Sequence, residues 1–455
     1  MSNEKQYFKT DGIRGKANQF PMTAEIAMKV AMATAYVIRQ KHNKCERTNR
    51  VVIGKDTRLS GYMFEQAITA GFLSMGMDVI QVGPIPTPGI AMLTRSMRAD
   101  LGIMITASHN KFQDNGLKLF GADGFKLCNE TQKDIEALIE TDFTDHLSAP
   151  EDCGKAKRLD DALGRYVEHV KSSFPRGKTL AGMKIVLDCA NGAAYKVAPQ
   201  IFWELEAEII TIGTQPNGRN INQDCGATDL KALQCKVIQE DADIGIALDG
   251  DADRLIVVDE RGQILDGDQL TASLALALKQ SGTLGDNTVV ATVMSNMGME
   301  AALVAQGIEV VRTAVGDRAI IEEMRKSGFS LGGEQSGHII MSKYSTTGDG
   351  ILAALQILAI LKETDKPASD VLNVFTPYPQ ILKNVQGVTG KTLREKAVQN
   401  AIHAAQDNLA DQGRILVRPS GTEPLIRVMV EGQDLSLIGQ IASDLCQVIE
   451  GSAHA

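Results

Sequence analysis

Leu101-Gly-Ile-Met-Ile-Thr-Ala-Ser-His-Asn110 is the stretch on which the reading of the fold turns. Its first five residues are apolar enough for a fully buried strand, and a polar turn follows without a break. Helix and strand patterns alternate upstream of it. Met22–Lys41 repeats apolar residues every three or four positions and reads as a helix. Arg50–Asp56 reads as a short buried strand, Ser60–Gly76 as a helix with Ser60 at its N-cap, and Met77–Gly83 as a strand that PIPTPG breaks before the next helix. This rhythm predicts a mainly parallel sheet covered on both faces. Ligands of such sheets lie beyond the carboxyl ends of the strands, which is where Ser108 falls.

The rhythm restarts twice. Lys184–Asp188 leads into CANGAA and a helix, and Asn287–Met294 leads into SNMGME and another. The result is a weak internal repeat of about 100 residues. The last part has a different order: a strand at Gln380–Gln386, a helix at Leu393–Leu409, strands at Arg414–Val417 and Leu425–Val430, and a final helix. Pro- and Gly-containing stretches at Ala149–Gly154 and Lys366–Ala368 mark boundaries. The fold expected is therefore α/β, with three similar α/β domains of mixed, mainly parallel sheets at 1–155, 156–255 and 256–366. An α+β domain at 367–455 follows.

Composition bounds the function. At 455 residues the chain exceeds the roughly 250–300 that one core can serve. A hydrophobic content of 44% excludes a disordered chain. Lys and Arg number 47 against 56 Asp and Glu, a net charge of −9, which argues against a nucleic-acid partner. Any anionic ligand must be held by local cations against that background. The longest apolar run, near Ile351–Leu361, is shorter than the roughly 20 residues a bilayer demands, so no membrane partner is expected. No signal peptide is read in MSNEKQYFKTDG. Seven scattered cysteines without a CxxC pair predict neither disulfides nor zinc, and a cytoplasmic setting.

Four further loops carry chemistry. In Asp249-Gly-Asp-Ala-Asp253-Arg254, three carboxylates at alternate positions are expected to project to one side of an extended segment and to demand a cation. All-oxygen ligation suits Mg²⁺ or Ca²⁺ rather than zinc. Asp249, Asp251, Asp253 and Glu260 also fit positions 1, 3, 5 and 12 of an EF-hand, but Arg254 stands where glycine is required and the flanks read as strands. Gly333-Glu334-Gln335-Ser336-Gly337-His338 offers an acceptor, donors and a titratable ring suited to sugar hydroxyls, or else a polar hairpin turn. Arg418-Pro-Ser420-Gly421-Thr422-Glu-Pro424 reads as a phosphate cradle of side-chain and backbone donors, or as a capped connecting loop. Asp11-Gly-Ile-Arg14-Gly15 precedes them all. No P-loop is present, and no GxGxxG follows a first strand.

In their order and approximate spacing, DGIRG, TASHN, DGDADR, GEQSGH and RPSGTEP resemble the α-D-phosphohexomutase superfamily over essentially the whole chain. Tyr7-Phe8, Asn220-Ile221-Asn222, Cys225–Asp229 and Gln335 place the resemblance nearest its bacterial amino-sugar branch. The resemblance implies four domains around a central cleft. It implies that Ser108 is phosphorylated and passes its phosphoryl group to a phosphosugar, and that the bisphosphorylated sugar turns around before returning the other one. That sugar bisphosphate would also serve as an activator. By the same resemblance one Mg²⁺ per chain is held by Ser108, Asp249, Asp251 and Asp253. Arg14, Lys118 and Arg254 surround the transferring group, and His338 assists near the sugar. Glu334, Gln335 and Ser336 contact the sugar, and Arg418, Ser420, Gly421, Thr422 and Arg427 hold the distant phosphate. The implied reaction interconverts glucosamine 6-phosphate and glucosamine 1-phosphate on the route to UDP-N-acetylglucosamine, a cell-wall precursor. The implied assembly is a monomer or homodimer. Lys9 and Lys111 depart from the pattern, which usually has Gly and Pro there, but neither removes a ligand or the nucleophile. A mannose or glucose phosphate mutase, a silent phosphosugar binder and a hydrolase are the rival readings.

Overall fold

The computed structural model describes residues 7–9, 11–41, 48–388, 391–419 and 425–453. They form two compact units: one runs to Thr292 and adds Val310–Val374, and the other joins Val293–Glu309 to the chain from Phe375 onward.

The first unit holds three sheets. The seven-stranded sheet runs Phe8–Lys9, Gly12–Lys16, Asp114–Gly121, Leu101–Ile105, Arg50–Lys55, Asp78–Pro84, Ala156–Arg158 from edge to edge. The five-stranded sheet runs Ile264–Leu265, Leu255–Asp259, Ile244–Leu248, Lys184–Asp188, Glu208–Ile212. The four-stranded sheet runs Glu309–Thr313, Thr288–Thr292, Leu331–Gly333, Ile339–Met341. Their central strands are wholly buried, as apolar runs such as LGIMI and IGIAL require when helices cover both faces.

A shared device recurs in all three. Leu101–Ile105 returns antiparallel as Asp114–Gly121, Ile244–Leu248 as Leu255–Asp259, and Leu331–Gly333 as Ile339–Met341. TASHN, DGDADR and GEQSGH are the tips of these three hairpins, each at the carboxyl end of its first strand. The EF-hand reading fails here, because strands and not helices flank the acidic loop.

Two expected boundaries move. Leu255–Asp259 and Ile264–Leu265 are ladder partners of Ile244–Leu248, directly or in turn, so the second sheet continues past residue 255. The helix Met297–Ala305 groups with the tail unit rather than with its own sheet. Buried Glu431 explains this: it accepts the Met297 amide at 2.8 Å and pairs with Arg414 at 2.6 Å, while Arg414 donates to the Val293 and Ser295 carbonyls. The tail itself is a three-stranded antiparallel sheet, Gln380–Gln386, Leu425–Gly432, Gly413–Pro419, packed on the helices Lys396–Leu409 and Leu435–Ala453. Among the described residues no helix is long and apolar enough to cross a membrane.

Helix Ala24–Lys41 packs on helix Gly61–Ser74 over one face of the first sheet. Gly71 permits the approach: a Cβ there would lie 2.7 Å from the Met28 carbonyl oxygen and 2.9 Å from the Ala31 methyl. Gly71→Val should therefore lower the stability of this unit by about 1–3 kcal/mol through overpacking. A lowered denaturant midpoint against wild type, with the far-ultraviolet spectrum retained, checks it.

Candidate active site

The three hairpin tips meet. Ser108 is buried, its backbone is left-handed at φ 50°, and its Oγ donates to Asp249 Oδ2 at 2.6 Å. The Leu255 amide donates to the Gly337 carbonyl at 2.9 Å, which joins the acidic hairpin to the GEQSGH hairpin. Asp249, Asp251 and Asp253 are buried, with one oxygen from each inside a 4.8 Å sphere of mutual distance. They do not alternate along an extended segment as the sequence suggests. Residues 249–254 are a tight tip in which Ala252 is left-handed at φ 57° and its amide closes on the Asp249 carbonyl at 3.0 Å. Curvature of the turn, not pleat alternation, makes the carboxylates converge. Gly250 is needed at this tip, since a Cβ would sit 2.6 Å from the Ser108 carbonyl oxygen.

Cations frame the carboxylates. Lys118 Nζ lies 2.8 Å from both Asp251 Oδ2 and Asp253 Oδ2, and 3.5 Å from Asp11 Oδ2. Burial works to lower the Lys118 pKa, but these carboxylates hold it well above the ordinary lysine value. Arg14 pairs with Asp11 at 3.2 Å. Lys126 joins Asp11 to Asp317, and Asp317 Oδ2 faces His338 Nε2 at 3.5 Å. His338 Nδ1 is 3.7 Å from Asp253 Oδ1. Burial would lower the His338 pKa, yet Asp253, Asp317 and Glu334 raise it. Burial tends to raise Asp253, but Lys118 and His338 hold it well below the usual carboxylate range. Asp249 is pushed up to about 8 by burial and by Asp253 and Asp251. His109 Nδ1 is 3.4 Å from Ser108 Oγ, and burial with Arg254 and Arg14 drives its pKa down to about 4, so the ring is neutral at neutral pH.

The cluster fits a hard divalent cation. Among the described residues, Asp251 Oδ1 and Asp253 Oδ1 are buried without a hydrogen-bond partner, the latter with His338 Nδ1 beyond bonding distance at 3.7 Å, and the third carboxylate accepts from the Ser108 hydroxyl and, at 3.3 Å, from the Arg254 amide. Among the described residues, Asp11, Asp249, Asp251, Asp253, Asp317 and Glu334 face the permanent cations Arg14, Lys118, Lys126 and Arg254, two fewer positive groups than carboxyl groups. Oxygen-only ligation with excess negative charge suits a hard divalent cation such as Mg²⁺ or Ca²⁺. Thr87 positions Asp251, donating its hydroxyl to Oδ2 at 2.5 Å and its amide to the backbone carbonyl at 2.9 Å.

The serine loop has its own clamp. Arg58 is fully buried, pairs with Asp56 at 2.8 Å, and donates to the carbonyls of Ser108 at 2.9 Å, Asn110 at 2.7 Å and Asp114 at 3.1 Å, and also to that of Lys111. Asn222 Nδ2 donates to the Ser108 and Asn110 carbonyls from the second sheet's side, at 2.8 and 2.9 Å. The loop is thus fixed by side-chain donors despite Lys111. Sequence reading did not single out Arg58, Thr87, Lys126 or Asp317, because each acts through contacts distant in the chain. A buried charged pair such as Asp56 and Arg58 leaves no local pattern.

The sugar-loop residues divide. Glu334 Oε1 accepts the Gly316 amide at 3.1 Å, and burial raises its pKa. Gln335 donates to Asp266 Oδ2 at 3.2 Å, and Asp266 caps helix Gly267–Gln280, so this amide supports a helix start as well as lining the loop. Ser336 is exposed. Ser60 likewise makes no cap bond; its hydroxyl accepts from Asn115 Nδ2 at 2.9 Å. In the tail unit, Arg418 and Arg427 are direct cross-strand partners. Like charges so placed repel, and Arg427 Nε is buried without a partner among the described residues. Burial and Arg427 lower the Arg418 pKa. Ser420, Gly421 and Thr422 lie outside the described residues.

A buried serine on a carboxylate cluster, framed by fixed cations where three repeated α/β hairpins meet, defines a class of phosphoryl-transfer enzyme. Models of the phosphoglucomutase/phosphomannomutase α/β/α domains I, II and III match residues 5–145, 164–262 and 266–378, and that of the C-terminal domain matches 379–448. The chain belongs to this phosphoglucomutase/phosphomannomutase family. It is 56% identical over 449 residues to the phosphoglucosamine mutase of Parvibaculum lavamentivorans, covering 99% of both chains. To that of Zymomonas mobilis it is 57% identical over 450 residues, 99% of this chain and 100% of the other. A crystal structure of a phosphoglucomutase/phosphomannomutase family protein from Burkholderia thailandensis superposes with a TM-score of 0.82 at 25% identity, over 98% of this chain and 97% of that one.

Arg58→Met should leave Asp56 an unpaired buried charge and free the serine loop. Breaking such a pair costs about 3–5 kcal/mol, and Arg58→Lys should recover only part of it because it lacks the fork. Chemical denaturation of both variants measures the two losses.

Proposed function

We propose that the protein is a phosphoglucosamine mutase, an isomerase that interconverts glucosamine 6-phosphate and glucosamine 1-phosphate through a phosphorylated Ser108. The observation that carries the reaction type is the Ser108 Oγ contact to Asp249 inside the carboxylate cluster. The substrate rests on full-length identity of 56–57% to relatives bearing that name.

In the first half-reaction the bond from the phosphoryl group to Ser108 Oγ breaks, one to a sugar hydroxyl oxygen forms, and a proton equivalent to that of the hydroxyl takes the place of the phosphoryl group on Ser108 Oγ, giving a sugar bisphosphate. In the second the other phosphoryl group returns to Ser108. Asp249, Asp251 and Asp253 would hold Mg²⁺, with Ser108, and the ion supplies neutralisation of charge on the phosphoryl oxygens. Lys118, kept protonated by its carboxylates, acts as a fixed cation rather than a base. Arg14 and Arg254 supply further positive charge at the same place, Arg254 through a buried guanidinium whose Nε has no hydrogen-bond partner among the described residues. The neutral His109 ring adds a proton acceptor beside Ser108 Oγ without adding charge. Glu334 and His338 bind the sugar hydroxyls. Arg418 and Arg427, with Ser420, Gly421 and Thr422, anchor the phosphate that is not reacting, which relieves their cross-strand repulsion. The six described cysteines, all free, support a reducing cytoplasmic location.

The test is an isomerisation assay with glucosamine, mannose and glucose phosphates side by side. The amino sugar should be turned over fastest, and inorganic phosphate should not accumulate. Preference for mannose or glucose phosphate would make the chain a different mutase of the family, and phosphate release without isomer would make it a hydrolase. EDTA should abolish turnover and added Mg²⁺ should restore it; Asp251→Asn should weaken metal dependence by at least about tenfold through loss of one ligand.

Arg418→Ala should raise KM for the sugar phosphate strongly and also lower kcat, because a loosely held bisphosphate escapes before its second transfer. Added glucosamine 1,6-bisphosphate should restore part of the turnover. Unchanged KM in steady-state kinetics would exclude Arg418 as the anchor.

A further inference from the structure

A second cavity lies apart from the carboxylate cluster, between helix Thr87–Ser96, helix Ala162–Lys171 and the segment 344–346. Its volume is about 420 Å³, within the roughly 300–1,000 Å³ of small-ligand sites. Its lining offers the Arg95 guanidinium, the His169 imidazole and the hydroxyls of Ser96, Tyr344, Ser345 and Thr346, with Met92 as the apolar member. No carboxylate is among its described lining residues. Lys343 adds a cation at the rim, its Nζ 5.0 Å from the centre of the Tyr344 ring. The chain as a whole carries a net charge of −9, so a cavity lined by Arg95, His169 and hydroxyls, with no carboxylate among its described lining residues, is a local reversal of sign. Such a pocket concentrates anions.

We propose that this cavity is a second ligand site, for a small phosphate monoester whose anion is held by Arg95 and His169 and whose organic part lies against Met92 and Tyr344. A guanidinium fork, a ring N–H and hydroxyl donors converge on an acceptor with several oxygens, which suits phosphate better than a single carboxylate. Burial and Arg95 lower the His169 pKa while its hydrogen bond to the Tyr344 backbone opposes them, and an anion beside the ring would favour the protonated form, which has a second N–H to donate. The volume exceeds what phosphate alone would fill, which is why an ester is assigned.

The site is wired to the mutase centre. Thr346 Oγ1 donates to the Gly124 carbonyl at 2.6 Å, the Thr347 amide to Ser345 Oγ at 3.3 Å, and the Gly348 amide to His338 Nε2 at 3.2 Å. A Cβ on Gly348 would lie 2.5 Å from the His338 ring, so the segment and the ring are in close contact. A ligand that orders Ser345 and Thr346 therefore acts on the residue that faces Asp253 and Asp317.

Equilibrium dialysis of the full chain against labelled inorganic phosphate tests this, with unlabelled glucose 6-phosphate and uridine monophosphate as competitors. Arg95 is exposed, so Arg95→Ala leaves the fold intact. Arg95→Ala and Arg95→Ala/His169→Gln should weaken one class of bound phosphate by about tenfold or more, leaving any other class of bound phosphate unchanged. Displacement of that class by the sugar phosphate or by the nucleotide names the ester and supports the site. Isotherms that coincide for wild type and the double variant would overturn it. Displacement by neither competitor would overturn the assignment of an ester.

Discussion

Asp249, Asp251 and Asp253 are held together inside the protein against their own repulsion. At 4.8 Å, two carboxylate charges repel by roughly 3 kcal/mol at an effective dielectric of about 20. Three such pairs would spread the hairpin tip apart unless positive charge came to them. Lys118 neutralises two of the three from one side, and the third carries a raised pKa and the Ser108 hydroxyl. The site is thus incomplete in charge, and the proposed reaction would supply what completes it, a divalent cation and a phosphoryl group on Ser108. The surrounding structure exists to hold that unstable arrangement: Thr87 on Asp251, Arg58 and Asn222 on the serine loop, Lys126 between Asp11 and Asp317.

The architecture explains how one chain assembles so many charged groups. The same strand-and-return hairpin is made three times, and each copy delivers a different loop from the carboxyl end of its strand. One loop brings Ser108, the second the three carboxylates, the third Glu334 and His338. Because the backbone device is constant, the tips differ only in side chains and in local left-handed residues such as Ser108 and Ala252. The tail unit uses another device, two arginines opposed across a ladder. Such a pair carries built-in repulsion that an anion would relieve, the mirror image of the carboxylate cluster.

Much of this was legible in the residues. LGIMI and IGIAL read as buried strands because parallel sheets leave no polar face, and the turns after them stood out by contrast. DGDADR pointed to a cation from charge alone, although the carboxylates converge through a turn and not through strand alternation. What could not be read is what depends on contacts far apart in the chain. Arg58 looks like any surface arginine until its guanidinium meets carbonyls some fifty residues away. Gln335 reads as a sugar ligand, yet its amide also supports the cap at Asp266. The boundary after residue 255 was misplaced because the returning strand belongs to the same ladder as the strand before the loop. Helix Met297–Ala305 groups with the tail through Glu431 and Arg414, which lie more than a hundred residues further on.

The central claim is that Ser108 carries the phosphoryl group that the carboxylate cluster is built to handle. Peptide mass spectrometry of the active enzyme, before and after a pulse of glucosamine 6-phosphate in the presence of Mg²⁺, addresses it directly. The account predicts a phosphoryl adduct on the peptide containing Ser108 in the resting enzyme, its loss on the pulse in step with the appearance of sugar bisphosphate, and no adduct or turnover in Ser108→Ala. A fully active enzyme with Ser108 unmodified throughout, or an alanine variant that still isomerises its substrate, would contradict it.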